Sequence, residues 1–149
     1  MTGLIPYILM AVVAGSFLPT QAGINSQLNL WTRSPILTAS ISFAVGTLSL
    51  IGFALILRVP LPDTTAAGRY PWWIWTGGFM GAFFVASAVV LAPKLGAASM
   101  VSLIIAGQML ASIFLDHFGV IGYPVHPFNI WRFVGVICIV VGVVLIKIF

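Results

Sequence analysis

Three uncharged polar side chains, Gln21, Asn25 and Asn29, recur at i, i+4 and i+8, and on a helix that spacing lines them along one face. A second set, Gln108, Ser112 and Asp116, repeats the spacing late in the chain. Amides and hydroxyls arranged this way offer hydrogen bonds to a polar solute. They do not make a nucleophile with a base and an orienting partner, and no glycine-rich loop is present to cradle a phosphate. With only 2 Asp+Glu, 2 His and 1 Cys in the chain, we expect neither an enzyme nor a cofactor. Cys138 sits inside the apolar run Val134 to Ile146, which gives no disulfide framework and no metal-ligand spacing. His117 and His126 stand singly in a loop and read as solvated side chains.

The elements that carry these residues follow from how little charge surrounds them. Charged residues make up 5% of the 149 positions and hydrophobic ones 61%, whereas a soluble domain carries about a quarter charged residues. A net charge of +4 comes from 6 Lys+Arg placed singly, which form no nucleic-acid-binding patch. The partners expected are therefore the lipid bilayer and a small solute. Uncharged stretches run from Met1 to Thr32, Ser34 to Leu57, Tyr70 to Pro93, Leu95 to Leu115 and Phe133 to Ile146. A helix of about 20 apolar residues crosses ~30 Å of hydrocarbon. The last stretch is shorter, but Arg132 and Lys147 can extend to opposite headgroup layers, so Phe128 to Phe149 still crosses. The expected fold is an all-α membrane protein, one transmembrane domain over 1–149, with helices at about 4–30, 35–57, 71–92, 95–116 and 129–148. Continuous rather than alternating apolarity excludes a membrane β-barrel. Met1 to Tyr7 holds no Lys or Arg, so the first run reads as a retained helix rather than a secretory signal.

The connections carry their own signals. Ser34-Pro35 is a cap followed by a first-turn proline, and Pro71 does the same for helix three. Arg58 to Tyr70 is a polar loop containing Asp63, Pro93 closes helix three into a tight hairpin with helix four, and Asn129 caps helix five after the loop His117 to Asn129. Helix one admits two readings. Leu4 to Trp31 would span roughly 42 Å, so either it kinks at Pro19 and carries its amides into a cavity, or it stops near Ala22 and the amides lie at the interface. Gln108 falls about 20 Å along helix four, deep in hydrocarbon, where its amide needs partners. Asp116 falls at the helix end and is expected to hold Arg132 or loop amides, with proton coupling as its alternative role. Tyr70, Trp72, Trp73 and Trp75 form a headgroup-level anchor, with cation stacking by Trp73 or Trp75 as a second use.

An odd number of helices collects Arg58, Arg69 and Arg132 on one side and Arg33, Lys94 and Lys147 on the other. Because the Lys/Arg difference sets insertion, this balance gives the machinery no instruction. Either a terminal feature decides a single orientation, or molecules of both orientations insert and pair as an antiparallel, dual-topology homodimer. The glycines Gly135 and Gly142, seven apart on helix five, mark the expected seam for self-association.

At this level of detail the chain resembles the YdcZ-type family of inner-membrane exporters in the drug/metabolite transporter superfamily. The resemblance is carried by Gly15 to Asn25 with Gln21 and Asn25, by Trp72-Trp73 followed by Gly77-Gly78 and Gly81, by Pro93 to Ala98, and by Gly107-Gln108 leading to Asp116-His117-Phe118-Gly119. It implies a five-helix subunit in a bacterial cytoplasmic (inner) membrane that works as an antiparallel pair. Small multidrug resistance proteins, similar in size, use a glutamate in the first helix to exchange protons for cations. This chain has no Glu and nothing acidic before Asp63, which leaves Asp116 as the helix-borne proton carrier if one is used. The expected function is a small transporter subunit that moves a solute by alternating access, with Gln21, Asn25, Gln108 and Ser112 as substrate-binding residues and no metal. The alternatives are a non-transporting membrane scaffold and a passive channel.

Overall fold

The structure is a computed structural model that describes residues 3–62 and 68–148. Asp63, in the expected polar loop, lies outside the described residues. Among the described residues five helices are long and apolar enough to cross a membrane, the third together with the turn that precedes it from Trp72: α1 (Ile5–Thr32), α2 (Pro35–Ile56), α3 (Thr76–Leu95), α4 (Ala97–Phe118) and α5 (Ile130–Ile148). The chain divides into two compact units, Met1–Pro93 and Lys94–Phe149.

In the first unit α1 packs on α2. It does not stop near Ala22 but continues through Pro19 to Thr32. A proline inside a helix removes a backbone donor, here the one that would bond Gly15 O, and the hydroxyls beside it bond back along the same helix: Ser16 Oγ donates to Val13 O at 2.7 Å and Thr20 Oγ1 to Ser16 O at 3.0 Å. The turn to α2 is made by Arg33, in the left-handed region at φ 52°, followed by Ser34, whose side chain accepts from the Leu37 amide as expected of the cap. Of the α3 glycines, Gly81 is the one set against a neighbouring helix. A Cβ on Gly81 would stand 3.2 Å from the Phe43 ring of α2, tighter than side chains normally allow.

Helix three starts later than its hydropathy implies. Trp72–Trp75 forms one 3₁₀ turn after the extended Pro71, and α3 begins at Thr76, whose Oγ1 donates to Trp73 O at 2.7 Å. This 3₁₀ turn is tighter than an α-helical one, and it leaves Trp72, Trp73, Ile74 and Trp75 all exposed. The break after α3 also differs from the expected one. Pro93 stays within the last turn of α3, and the helical backbone is interrupted at Gly96, with φ 76° and ψ 161°. That backbone region is open essentially to glycine alone, so Gly96 and not the proline ends the helix.

The second unit is the hairpin of α4 and α5. Gly119 closes α4 at φ 60°, and a Cβ there would stand 2.6 Å from Val125 Cγ2, so glycine is required for both conformation and space. Asn129 caps α5, its Oδ1 accepting from the Arg132 amide at 3.0 Å, as its type and position predict. No residue of α5 is buried.

Candidate functional site

Membrane-embedded polar groups need partners, because lipid supplies none, and the helices show which ones already have them. Ser26, Ser40, Ser49 and Ser102 each donate to the carbonyl four residues back on their own helix, at 2.7–2.9 Å. These hydroxyls are satisfied internally and are free of any obligation to a ligand. Gln21, Gln108 and Ser112 are exposed and make no side-chain hydrogen bond among the described residues. Asn25 is buried at 4% exposure.

On α1 the expected stripe spreads over three environments. Each i to i+4 step rotates a helix face by about 40°, so Gln21, Asn25 and Asn29 go from exposed through buried to half-buried. Gln21 lines a recess of about 210 Å³ with Ser42, Gly46 and Thr47 of α2. Asn29 belongs to a network at the α1–α2 turn: Thr38 Oγ1, fully buried, donates to Asn29 Oδ1 at 3.3 Å and shares a 2.6 Å bond with Thr32 Oγ1. Thr38 and Thr32, along with Ser42 and Thr47, escape a reading that follows one helix at a time. The signal was in the numbering: Asn29 and Thr38, and likewise Gln21 and Gly46, are equidistant from the break between Arg33 and Ser34. In an antiparallel hairpin such residues meet.

The same arithmetic organises the second unit around Pro124. Asp116 and Arg132, Ser112 and Val136, and Met109 and Ile139 stand at equal distances from it, and all six line one recess of about 300 Å³ between α4 and α5. Arg132 Nη1 donates to Asp116 Oδ2 at 3.1 Å, with the two side chains 30% and 28% exposed, so Asp116 holds Arg132 as expected. Nη1 also donates to His126 O at 3.3 Å. The loop is bound to the end of α4 by two more contacts: the His126 amide donates to Asp116 O at 2.8 Å, and the Phe128 amide donates to His117 Nδ1 at 3.0 Å. His117, expected in the loop, lies in the last turn of α4 and accepts from the loop rather than being merely a solvated side chain. Opposite Asp116 and Ser112, Gly135 leaves the recess open, since a Cβ there would meet nothing within 4 Å.

Of the sequence-predicted site residues, Ser112 and Asp116 share the α4–α5 recess and Gln21 lines the α1–α2 recess. Gln108 lies one turn before Ser112 on α4, and Asn25 one turn after Gln21 on α1. The arrangement can hold a polar solute by hydrogen bonds and by one ion pair. No curated protein and no solved structure matches the chain. Residues 6–145 match the family described as "Putative inner membrane exporter, YdcZ", and with five helices able to span a bilayer the chain is a multi-pass inner-membrane protein belonging to that exporter family.

Proposed function

We propose that the protein is a transporter subunit that moves a small solute by alternating access between two antiparallel copies of itself, with no enzymatic step. The observation that carries the transport reading is the contrast along α4. Ser102 satisfies its hydroxyl on its own helix, while Gln108 and Ser112 keep amide and hydroxyl exposed without a partner in the described residues. Within a bilayer such groups must meet protein, water or solute, and a solute pathway is the use this reading gives them. Gln21, Asn25, Gln108 and Ser112 supply hydrogen bonds to the solute, and Asp116 is the carboxylate available for proton coupling.

The pairing rests on the balance of Arg58, Arg69 and Arg132 against Arg33, Lys94 and Lys147, which leaves insertion without direction. Five helices of this length enclose little space alone, and transporter pathways are commonly built between repeats of opposite orientation. Gly135 and Gly142 offer the seam, since a Cβ at either would meet nothing within 4 Å in the chain.

The test is a screen of the purified protein against metabolite and cation libraries by thermal shift and solid-supported-membrane currents, with Gln108→Leu alongside. A transporter loses at least tenfold in flux in that variant while its elution profile is kept. A scaffold tolerates the change, and a passive channel shows flux that does not saturate with concentration. Tags on the C-terminus should report both faces of the membrane, and one or two added Lys residues at either end should tip the population. A C-terminus found on one face only would overturn the antiparallel homodimer.

A further inference from the structure

The α4–α5 recess combines features that select a class of solute. Its wall holds one full positive and one full negative charge 3.1 Å apart, on Arg132 and Asp116, beside the Ser112 hydroxyl, and the rest of it includes Met109, Val136 and Ile139. Both charged groups retain unused capacity. Among the described residues only Nη1 of Arg132 is engaged, with Asp116 Oδ2 and His126 O, although a guanidinium carries five N–H donors on a planar fork. Oδ1 of Asp116 accepts no bond among the described residues.

A solute with a single charge gains little here. A cation drawn to Asp116 meets the Arg132 guanidinium at nearly the same distance, and an anion drawn to Arg132 meets the Asp116 carboxylate, so attraction and repulsion largely cancel. A molecule with both charges on neighbouring atoms avoids this. Its carboxylate can take the free Nη2 and Nε edge of Arg132 in two parallel bonds, while its ammonium reaches Asp116 Oδ1 and the Ser112 hydroxyl one turn away. An apolar substituent is then directed at Met109, Val136 and Ile139. About 300 Å³ lies at the small end of the ~300–1,000 Å³ typical of small-molecule sites, which suits a molecule of amino-acid size.

We propose that this recess binds a zwitterionic, apolar α-amino acid or a close analogue, with Arg132 receiving the carboxylate and Asp116 the ammonium. The assignment rests on the transport reading above and names the solute class for the same site. It also makes Arg132 a specificity residue and gives Asp116 a role that needs no proton transfer.

The test uses the full-length protein in detergent, with binding followed by calorimetry and four probes: L-leucine, L-methionine, isovalerate and isopentylamine. At least one of the two amino acids should bind tenfold or more tightly than both single-charge analogues. Asp116→Asn should shift preference toward isovalerate, and Arg132→Gln toward isopentylamine, because each variant leaves one charge unopposed. If either variant fails to fold, Met109→Trp keeps the question open to refutation. It fills the recess from its α4 wall while replacing neither a charged residue nor a seam glycine, and it should abolish amino-acid binding at an unchanged elution volume. Binding of neither amino acid, analogues within tenfold of them, or a Met109→Trp protein that still binds would each overturn the assignment. Amino-acid binding without counterflow in proteoliposomes would uphold the site and overturn the transport reading. Flux of some other solute, stopped by Gln108→Leu but with no amino acid bound, would uphold transport and overturn the site.

Discussion

The α1–α2 and α4–α5 hairpins solve the same problem with opposite chemistry. Each must turn an apolar chain back on itself while satisfying the polar groups at the bend. The first does so in the two residues Arg33 and Ser34, with a neutral network that joins the buried Thr38 to the half-buried Asn29 and Thr32. The second uses the long stretch from Gly119 to Asn129 and a half-exposed ion pair. The difference shows where stability and recognition are separated. Two hydroxyls and an amide oxygen bonded to one another hold the first turn, whereas the charges at the second keep free valences that a solute can use.

The comparison can be broken in graded steps by equilibrium unfolding in mixed detergent micelles. Gly119→Ala should cost most, about 2–3 kcal/mol, since it places a side chain in the left-handed region and drives Cβ to 2.6 Å from Val125 Cγ2. A wild-type midpoint in that variant would mean the second turn is not closed at Gly119. Thr38→Val should follow at about 1–2 kcal/mol, because the shape is kept while Asn29 and Thr32 lose their shared partner. Asn129→Ala should cost about 1 kcal/mol through the lost cap, and Asn129→Ser should restore most of it. Arg132→Gln should cost least, under about 1 kcal/mol, as expected for an ion pair at roughly 30% exposure. A larger loss from Arg132→Gln than from Thr38→Val would reverse the division of labour drawn here.

Hydropathy sums over some twenty residues, so it locates spans well and their ends poorly. All five spans, the Ser34 cap, the Asn129 cap and the Asp116–Arg132 pair were legible, because each depends on residue type at a local or charge-marked position. Whether α1, expected over about 4–30, stops near Ala22 stayed open between two readings, and the 3₁₀ turn at Trp72–Trp75 and the break at Gly96 were not legible. Each of those turns on a few backbone torsions or hydroxyl bonds that composition does not report. The recesses were half legible: their α1 and α4 walls stood out as polar stripes, and their α2 and α5 walls emerge only when positions are mirrored across the turns.

Helix α5, which buries none of its residues, has one last consequence. Its outward side chains Ile137, Val140, Val141, Val144 and Leu145 stand 44–52% exposed and, unlike Val136 and Ile139, do not line the recess against α4, so as far as a single chain is concerned they are interchangeable with any others of similar oiliness. Position-by-position replacement at those five is then a detector aimed beyond the molecule. Wherever a swap of one aliphatic residue for another there harms the cell, the injured contact belongs to a neighbour, and the map of such positions would draw that neighbour's outline.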